Sequence, residues 1–295
     1  MLKFIPRAAA ALVLVSLASP ALAWGQNGHA VIGLVAQHFL KPDVKKKVDA
    51  LLASDTDPLT AHDIAAETIW ADKFRNSDYA TTKANFLHTH FWHVMELDLQ
   101  HPDIDAACYG HPKLPAGVAA SDGPEKTCVL DKIDQFSAEL ASPATKPAER
   151  LLALKYLIHL VGDLHEPLLV SGNHDEFGVR TKVSAGSFSQ TSLRGFWDDG
   201  FIEELGDDPV LMADDLISGV EQSKSQDAIG KGTATEWALE SSKLARDAYA
   251  KLPEHLHDGV YELEAPYITF GIETVRVQMA RAGVRLAAVL NRALR

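Results

Sequence analysis

The stretch AERLLALKYLIHLVGDLH at residues 148–165 decides the fold. Its apolar residues recur every three or four positions, which is the period of an α-helix. Pro167 follows directly and cannot continue such a helix, since proline lacks the backbone N–H that the next turn needs. The stretch therefore predicts a long, strongly apolar helix that ends just before Pro167.

Helical periodicity dominates the rest of the chain as well. The clearest strand signal is GVRTKVSAG at 178–186, and two irregular regions, 98–127 and 168–195, are rich in Gly, Pro, Asp, Ser or Asn. In a compact helical protein, loops of this length are often functional. We predict an all-α fold, with residues 24–295 forming a single compact multi-helix domain with long functional loops. Further helices are expected at 29–40, 60–75, 208–224, 233–252 and 267–293.

The N-terminus has the pattern of an export signal. Lys3 and Arg7 precede the apolar run AAAALVLVSLA, and the small-x-small sequence ALA stands directly before Trp24. A membrane-spanning helix needs about 20 apolar residues, but Pro20 interrupts this run, and no later segment is apolar enough to span a membrane. We therefore predict a signal peptide over residues 1–23, cleavage before Trp24, and export to a periplasm or out of the cell.

The net charge and the cysteine content limit the possible classes of function and the compartment of the protein. The formal net charge is −12, which argues against a broad basic groove that grips duplex nucleic acid by counterion release. A phosphate substrate held by metal ions is compatible with an acidic chain, because the charge of the ions is local. For an exported protein, Cys108 and Cys128 predict one disulfide, worth about 3 kcal/mol. The alternative is two free, unrelated thiols. Nothing indicates an obligate protein partner.

Several residues have the chemistry and spacing of metal ligands. His159 and Asp163 are four residues apart, so both side chains lie on one face of the predicted helix and can reach one ion. The alternative is a hydrogen-bonded His–Asp pair inside a helical core. Asp72 and Arg75 in WADKFR are one turn apart, a spacing that also suits an ordinary ion pair on a solvated helix face.

Two further features add to the metal hypothesis. The segment HTHFWHVME contributes His88, His90 and His93, although a histidine-rich tract is a weak signal by itself. His29 lies near the start of the first predicted helix. Cleavage before Trp24 would free an α-amine with a pKa near 8, and this amine together with the carbonyl oxygen of Trp24 could chelate one ion.

These motifs in this order resemble the zinc-dependent single-strand-specific nucleases of fungi, plants and bacteria. They comprise Trp at the cleavage site, His five residues later, Trp-Ala-Asp-x-x-Arg, Trp-His-x-x-acid and His-x-x-x-Asp. The resemblance runs from Trp24 to about Ile202. It implies the all-α fold that these nucleases share with bacterial zinc phospholipase C.

The resemblance also implies a site with two zinc ions that share Asp163. Two ions so placed would lower the pKa of a bridging water toward 7 and make it a nucleophile. Arg75 would stabilise the charge that develops on phosphorus oxygens. His88 and His90 would be ordinary polar residues. The implied ligands are Asp72, His93, His159 and Asp163 for one ion, and the backbone of Trp24, His29 and Asp163 for the other.

The sequence departs from this family at its third zinc site, which uses two histidines and an aspartate. Leu169 and Arg194 stand where the histidines are expected, and only Asp198 remains. In the first interpretation the third ion is absent, and Arg194 supplies positive charge toward a phosphate and pairs with Asp198. In the second, His165 or His174 joins Asp198 in a rebuilt site. In the third, the protein is stabilised by zinc and has lost catalysis.

The sequence therefore predicts an exported zinc-dependent endonuclease that hydrolyses phosphodiester bonds of single-stranded DNA or RNA. A lipid phosphodiesterase with the same metal core and a non-catalytic exported protein with structural zinc are the alternatives. The Trp24 site leaves room for solvent, which favours catalysis, since structural zinc sites are usually closed by four protein ligands. We expect Trp197 to be packed in the core, and bases could stack on aromatic side chains of the 170–200 loop, namely Phe177, Phe188 or Phe196.

Overall fold

Helix α8, Pro147–His165, lies at the centre of the fold, and every residue from Ala153 to His165 is buried. The neighbouring helices pack against it from several sides, so it has no solvated face in this part. The computed structural model describes residues 23–295. The predicted signal peptide, except Ala23, lies outside the described residues.

Helices make up most of the described chain, and long ones surround α8. Short 3₁₀ turns span His90–His93, Ala120–Asp122 and Pro167–Val170, and a π-helical turn spans Phe196–Gly200. The α-helices are α1 Gly25–Phe39, α2 Pro42–Leu52, α3 Ile64–Glu67, α4 Trp70–Asn76, α5 Ala84–Thr89, α6 Ile104–Ala107, α7 Val129–Ala141, α8 Pro147–His165, α9 Leu193–Gly195, α10 Phe201–Glu203, α11 Pro209–Gln222, α12 Gln226–Ile229, α13 Ala234–Ala250 and α14 Ala265–Ala293.

The all-α prediction is confirmed, and four of the six predicted helices match α8, α11, α13 and α14 to within about two residues. The first predicted helix begins earlier than expected, at Gly25. The prediction of one helix over 60–75 is wrong, because α3 and α4 are separate and Thr68 and Ile69 lie between them. Helices α2 and α7 were not predicted.

Strand structure is limited in the described residues. The predicted strand at 178–186 is reduced to β1, Val183–Ser184, which pairs in parallel with β2, Tyr261–Glu262. Burial alternates from Arg180 to Gly186 as it would in a strand, but the residues outside β1 form turns, bends and an isolated antiparallel bridge between Lys182 and Ser192. Regions 98–127 and 168–195 are otherwise loops with short helical turns, as expected. Among residues 23–295, no helix combines the length and apolar character required to cross a membrane.

Close contacts between helices determine how the other helices are arranged around α8. Helices α1 and α14 approach each other at Gly283, where an added Cβ would lie 2.5 Å from the Val35 side chain. Helices α7 and α14 pack against α8. The predicted disulfide is present between Cys108, after α6, and Cys128, before α7, with Cα atoms 4.9 Å apart. It joins the first long loop to the core beside α8.

Candidate metal centre and substrate cleft

The pair predicted from helical spacing, His159 and Asp163, is buried on α8. The Nε2 atom of His159 lies 3.0 Å from Oδ2 of Asp163, and both side chains are fully buried. Their spacing of four residues places both side chains on one helix face. A charged carboxylate in such a place requires compensating partners, and the adjoining elements supply them.

The two oxygens of Asp163 face two different histidines. Its Oδ1 lies 3.4 Å from Nε2 of His29 on α1, and its Oδ2 lies 2.9 Å from Nδ1 of His93 in the 3₁₀ turn after α5. The carboxylate therefore stands between two groups of nitrogen atoms, with one oxygen directed to each. This is the arrangement expected of a bridging ligand.

Helix α4 brings the other predicted pair to the same place. Asp72 Oδ1 lies 3.7 Å from both His93 Nδ1 and His159 Nε2. The guanidinium of Arg75, one turn further along, lies 2.8 Å from Asp72 Oδ1, and only 7% of Arg75 is exposed. The interpretation of Asp72 and Arg75 as a pair on a solvated helix face is therefore wrong, because both are buried at the cluster.

The break between α3 and α4 orients His159. The Nδ1 atom of His159 lies 2.6 Å from the carbonyl oxygen of Thr68, which sits in that break. A carbonyl can only accept, so Nδ1 carries a proton and Nε2 is the nitrogen that faces the cluster. Histidine ligands of metals are typically oriented in this way. A single uninterrupted helix would use this carbonyl for its own ladder.

Two glycines and a tryptophan place His29. The His29 ring stacks on the His159 ring with centroids 4.2 Å apart. Gly162 gives it space, since an added Cβ there would lie 3.0 Å from two atoms of the His29 ring. The indole N–H of Trp24 donates to the Gly162 carbonyl at 2.7 Å. Gly25 lets the chain turn into α1 with φ 47°, where a Cβ would collide with Asp199.

The residues present are able to hold metal. Several buried polar atoms of the cluster have no hydrogen-bond partner: both ring nitrogens of His29, Oδ2 of Asp72, Nε2 of His93 and Oδ1 of Asp163. Such atoms are costly unless something binds them. Two sets of ligand atoms, His29–His159–Asp163 and Asp72–His93–His159, each fall within 4.8 Å of one another. Imidazole and carboxylate donors suit zinc.

The electrostatics of the cluster differ between two of its histidines: His93 is in the neutral form that a metal binds, whereas His159 holds an extra proton. Burial, followed by the nearby Arg75 guanidinium, lowers the pKa of His93 to about 4, so its ring is neutral. Burial also opposes charge on His159, but Asp163 and Asp72 outweigh it and raise its pKa to about 9. Although burial works against it, the His159 contact holds the pKa of Asp163 well below its usual range. Metal binding would release the His159 proton.

Comparison with known proteins agrees with this geometry. The sequence model of the family described as S1/P1 Nuclease matches residues 24–295. The chain belongs to the S1/P1 nuclease family. The match confirms the resemblance predicted from the motifs, and it places the chain among enzymes that hydrolyse phosphodiester bonds.

Plant and fungal nucleases are among the similar proteins. Endonuclease 2 of Arabidopsis thaliana is 26% identical over 290 residues, covering 91% of this chain and 90% of its own length. Nuclease P1 of Penicillium citrinum is 25% identical over 296 residues, covering 91% and 97%. Nuclease S1 of Aspergillus oryzae is 27% identical over 212 residues, covering 69% and 62%.

Arg194 and Asp198, which the sequence motifs placed at a third zinc site, form a buried ion cluster with Glu166 in this S1/P1 family member. Arg194 Nε pairs with Asp198 Oδ2 and lies 3.9 Å from Glu166 Oε2. The three side chains are at most 6% exposed. Burial raises the pKa of Asp198 and of Glu166, and Arg194 opposes both shifts. Sequence reasoning missed Glu166, whose only signal was its place three residues after Asp163.

The two histidines proposed for a rebuilt third site do not meet Asp198. His165 is fully buried and engages both ring nitrogens elsewhere: Nδ1 lies 2.7 Å from the Val161 carbonyl, and Nε2 lies 2.9 Å from Arg285. It has no nitrogen available for a metal. The His174 side chain is 85% exposed and lies 4.0 Å from Glu96. The structure therefore does not support the rebuilt site.

Val94, the residue after His93, lines a cleft together with residues of two loops. The cleft encloses a volume of about 300 Å³. Of the three phenylalanines proposed for base stacking, only Phe177 lines the cleft. Phe196 is fully buried, and Phe188 packs against the Phe196 ring. Trp197 is buried, as expected. The cleft is lined by Phe91, Val94, Glu96, Ala107, Tyr109, Ser171, His174, Glu176 and Phe177.

The residue before the predicted cleavage site occupies the edge of this cleft. Ala23 is 3% exposed, and it packs in a small apolar cluster with Val94, Leu169 and Phe177. Leu169, at which the resemblance led us to expect a histidine, therefore lies in an apolar environment and offers no donor to a metal. Trp24 follows in the left-handed conformation with φ 49° and is completely buried.

Proposed function

We propose that this chain is an exported nuclease that hydrolyses phosphodiester bonds of single-stranded nucleic acid at a pair of zinc ions. The observation that carries the proposal is the Asp163 carboxylate, which directs one oxygen to His29 and the other to His93 and His159. These groups are buried, and several of their polar atoms lack partners. A closed polar core with no ion would be costly.

Each proposed ligand contributes in a defined way. Thr68 holds His159 so that Nε2 faces the cluster. Asp163 would be shared by the two ions, and Asp72, His93 and His159 would hold one of them. The backbone amine and carbonyl of Trp24, together with His29, would hold the other. When bound, a zinc pair supplies Lewis acidity that activates water and neutralises phosphate charge.

Two arginines would act by charge. Arg75 lies beside Asp72 with its Nε unpartnered, so a guanidinium N–H is available for a phosphate oxygen. Arg194 is engaged with Asp198 and almost fully buried. We infer that it replaces the charge of a third ion without touching the substrate. The protein would then bind two zinc ions, since Leu169 offers no donor and a guanidinium stays protonated.

The cleft would account for a preference for single-stranded over duplex nucleic acid. Its aromatic side chains, Phe91, Tyr109 and Phe177, offer faces on which an unpaired base can stack. A base that remains paired in a duplex has no free face to offer. The acidic net charge of −12 also disfavours a long contact with duplex phosphates.

Metal analysis together with hydrolysis assays tests the proposal. Protein beginning at Trp24 should contain two zinc ions and cleave a single-stranded oligodeoxynucleotide much faster than its duplex. The Asp163→Asn variant should lose both properties. Asp215→Asn is the matched control, since Asp215 lies in an exposed ion pair with Arg276 on the surface. Two bound zinc ions without hydrolysis of any nucleic acid would contradict the proposal and support a structural role for zinc. Cleavage of phosphatidylcholine vesicles instead would identify a lipid phosphodiesterase.

Export is tested separately. The disulfide between Cys108 and Cys128 fits an oxidising compartment, and the N-terminal pattern predicts cleavage before Trp24. Sequencing the N-terminus of protein recovered outside the cytoplasm should give Trp24 as the first residue. A first residue at any other position would contradict both the export boundary and the backbone ligands.

A further inference from the structure

Two loops with unusual backbone conformations line the cleft. His174, Glu176 and Phe177 have φ between 56° and 57°, and all three line the cleft. Tyr109, in the other loop, lines it as well and has φ 55°. Residues with a side chain adopt this region at a cost in free energy and keep it only where the surrounding structure enforces it. Interactions with other parts of the protein must therefore hold each of these two loops in its conformation.

Asp175 is the residue that holds the first loop. It is 9% exposed and lies between residues that line the cleft, yet its own carboxylate is directed away from it. Oδ1 accepts the Gly178 N–H at 2.9 Å, and Oδ2 accepts the Thr181 hydroxyl. The Tyr249 hydroxyl on α13 lies 3.0 Å from Oδ1 and 2.8 Å from Oδ2. One carboxylate thereby ties three parts of the chain together.

The loop continues from Asp175 into the ion cluster at the former third site. The Gly178 carbonyl accepts the Arg194 N–H at 3.2 Å. Gly178 has φ 87°, and an added Cβ would lie 2.9 Å from Leu168 and 3.1 Å from the Arg194 nitrogen. The loop therefore has little conformational freedom at Gly178. At Asp175, the hydroxyl of Tyr249 connects the loop to helix α13.

We propose that Asp175 and Tyr249 are positioning residues that hold Phe177 and His174 in place for the nucleotide that enters the cleft. The inference rests on the proposed function for the identity of the ligand, but the positioning itself concerns the free protein. Tyr249 is well suited to this role because its ring packs against the core while its hydroxyl reaches the loop. Loss of the hydroxyl would free the loop and leave the fold intact.

The test compares Tyr249→Phe with Tyr267→Phe. Each variant removes one hydroxyl and keeps the ring. The Tyr267 hydroxyl accepts the Trp197 indole N–H at 3.4 Å, and Tyr267 does not line the cleft. In zinc-loaded protein beginning at Trp24, we expect Tyr249→Phe to lose hydrogen-exchange protection at the Gly178 and Arg180 amides. It should also bind thymidine 5′-phosphate about five- to tenfold more weakly, as expected for loss of a hydrogen bond. Tyr267→Phe should change neither measurement.

Hydrolysis kinetics separate positioning from a general loss of structure. For a single-stranded oligothymidylate, Tyr249→Phe should raise KM by about five- to tenfold and leave kcat and zinc content unchanged. Asp175→Asn, which keeps an oxygen acceptor for the tyrosine, should be milder than Asp175→Ala. Unchanged exchange at Gly178, or lost protection with unchanged affinity, would overturn the inference. Wild-type protein that binds the nucleotide but cleaves nothing would contradict the proposed function, and the Tyr249 comparison would still decide the positioning role.

Discussion

The substitution Arg194→Met removes the positive charge that we propose stands in place of a third zinc ion, and it keeps most of the side-chain volume. Arg194 faces Asp198 and Glu166, and all three groups are almost fully buried. One oxygen of each carboxylate already lacks a partner. Without the guanidinium, two buried carboxylates would face each other with no countercharge, so the substitution should mainly destabilise the fold.

The expected magnitude follows from the burial of the cluster. Breaking a buried ion pair by removing one partner typically costs about 3–5 kcal/mol. For a domain of this size, each kcal/mol lowers Tm by roughly 2–4 °C, so Tm should fall by about 6–20 °C. Arg276→Met is the matched control, because its partner Asp215 is largely exposed and such a pair is worth about 1 kcal/mol or less.

The pH dependence of the stability of Arg194→Met gives a second test of the buried ion cluster. Burial raises the pKa of both Asp198 and Glu166, and the loss of Arg194 should raise both further. A carboxyl whose pKa is higher in the folded state than in the unfolded state favours folding when it is protonated. The stability deficit of Arg194→Met should therefore be largest at neutral and alkaline pH, and it should shrink as the pH falls toward 5.

Chemical denaturation at several pH values checks this, together with a double-mutant cycle. Arg194→Met/Asp198→Asn should be more stable than Arg194→Met alone, because one of the two uncompensated charges is gone. Zinc content should remain at two ions in all variants. A loss below 1 kcal/mol for Arg194→Met, or a deficit that grows as the pH falls, would refute the reasoning. Three zinc ions in the wild-type protein would refute the proposal that the charge of Arg194 takes the place of a third ion.

Three further predictions concern the metal cluster and its surroundings. A protein that keeps one extra residue before Trp24 should lose one zinc ion and most activity, and unchanged zinc content by elemental analysis would contradict the backbone ligands. Asp163→Asn should weaken both sites and lower Tm in calorimetry; a variant with two zinc ions and the wild-type Tm would contradict bridging. Burial, partly offset by Lys155, raises the pKa of Glu67 to about 7. Wild-type stability should therefore fall as the pH rises through 7, whereas denaturation of Glu67→Gln should show a flatter profile, and identical profiles would count against this assignment.

Local spacing was enough to predict part of the site. His159 and Asp163 were predicted as a pair because helix geometry alone places residues four apart on one face. The same reasoning gave α8 almost to the residue. Asp72 and Arg75 were identified as neighbours, but the sequence could not say whether their face was buried, since burial depends on what packs against it.

The contributions of the backbone could not be predicted. Thr68 orients His159 through its carbonyl oxygen, and every residue has a carbonyl, so the sequence carries no signal for it. The break that frees this carbonyl was hidden inside a segment with good helical periodicity. Asp175 was missed for a related reason: its partner Tyr249 is 74 residues away, and only the tertiary fold brings them together.

The burial of Ala23 has a consequence for the cell that makes the protein. While Ala23 is attached, the nitrogen of Trp24 is a peptide amide, whose lone pair is not available to a metal, and the alanine fills the edge of the cleft. If residues 1–23 are an export signal and the backbone of Trp24 is a ligand, the newly made chain would have an incomplete site for as long as the signal is attached. Cleavage would then complete the site only after the protein has left the compartment that holds the cell's own RNA and DNA.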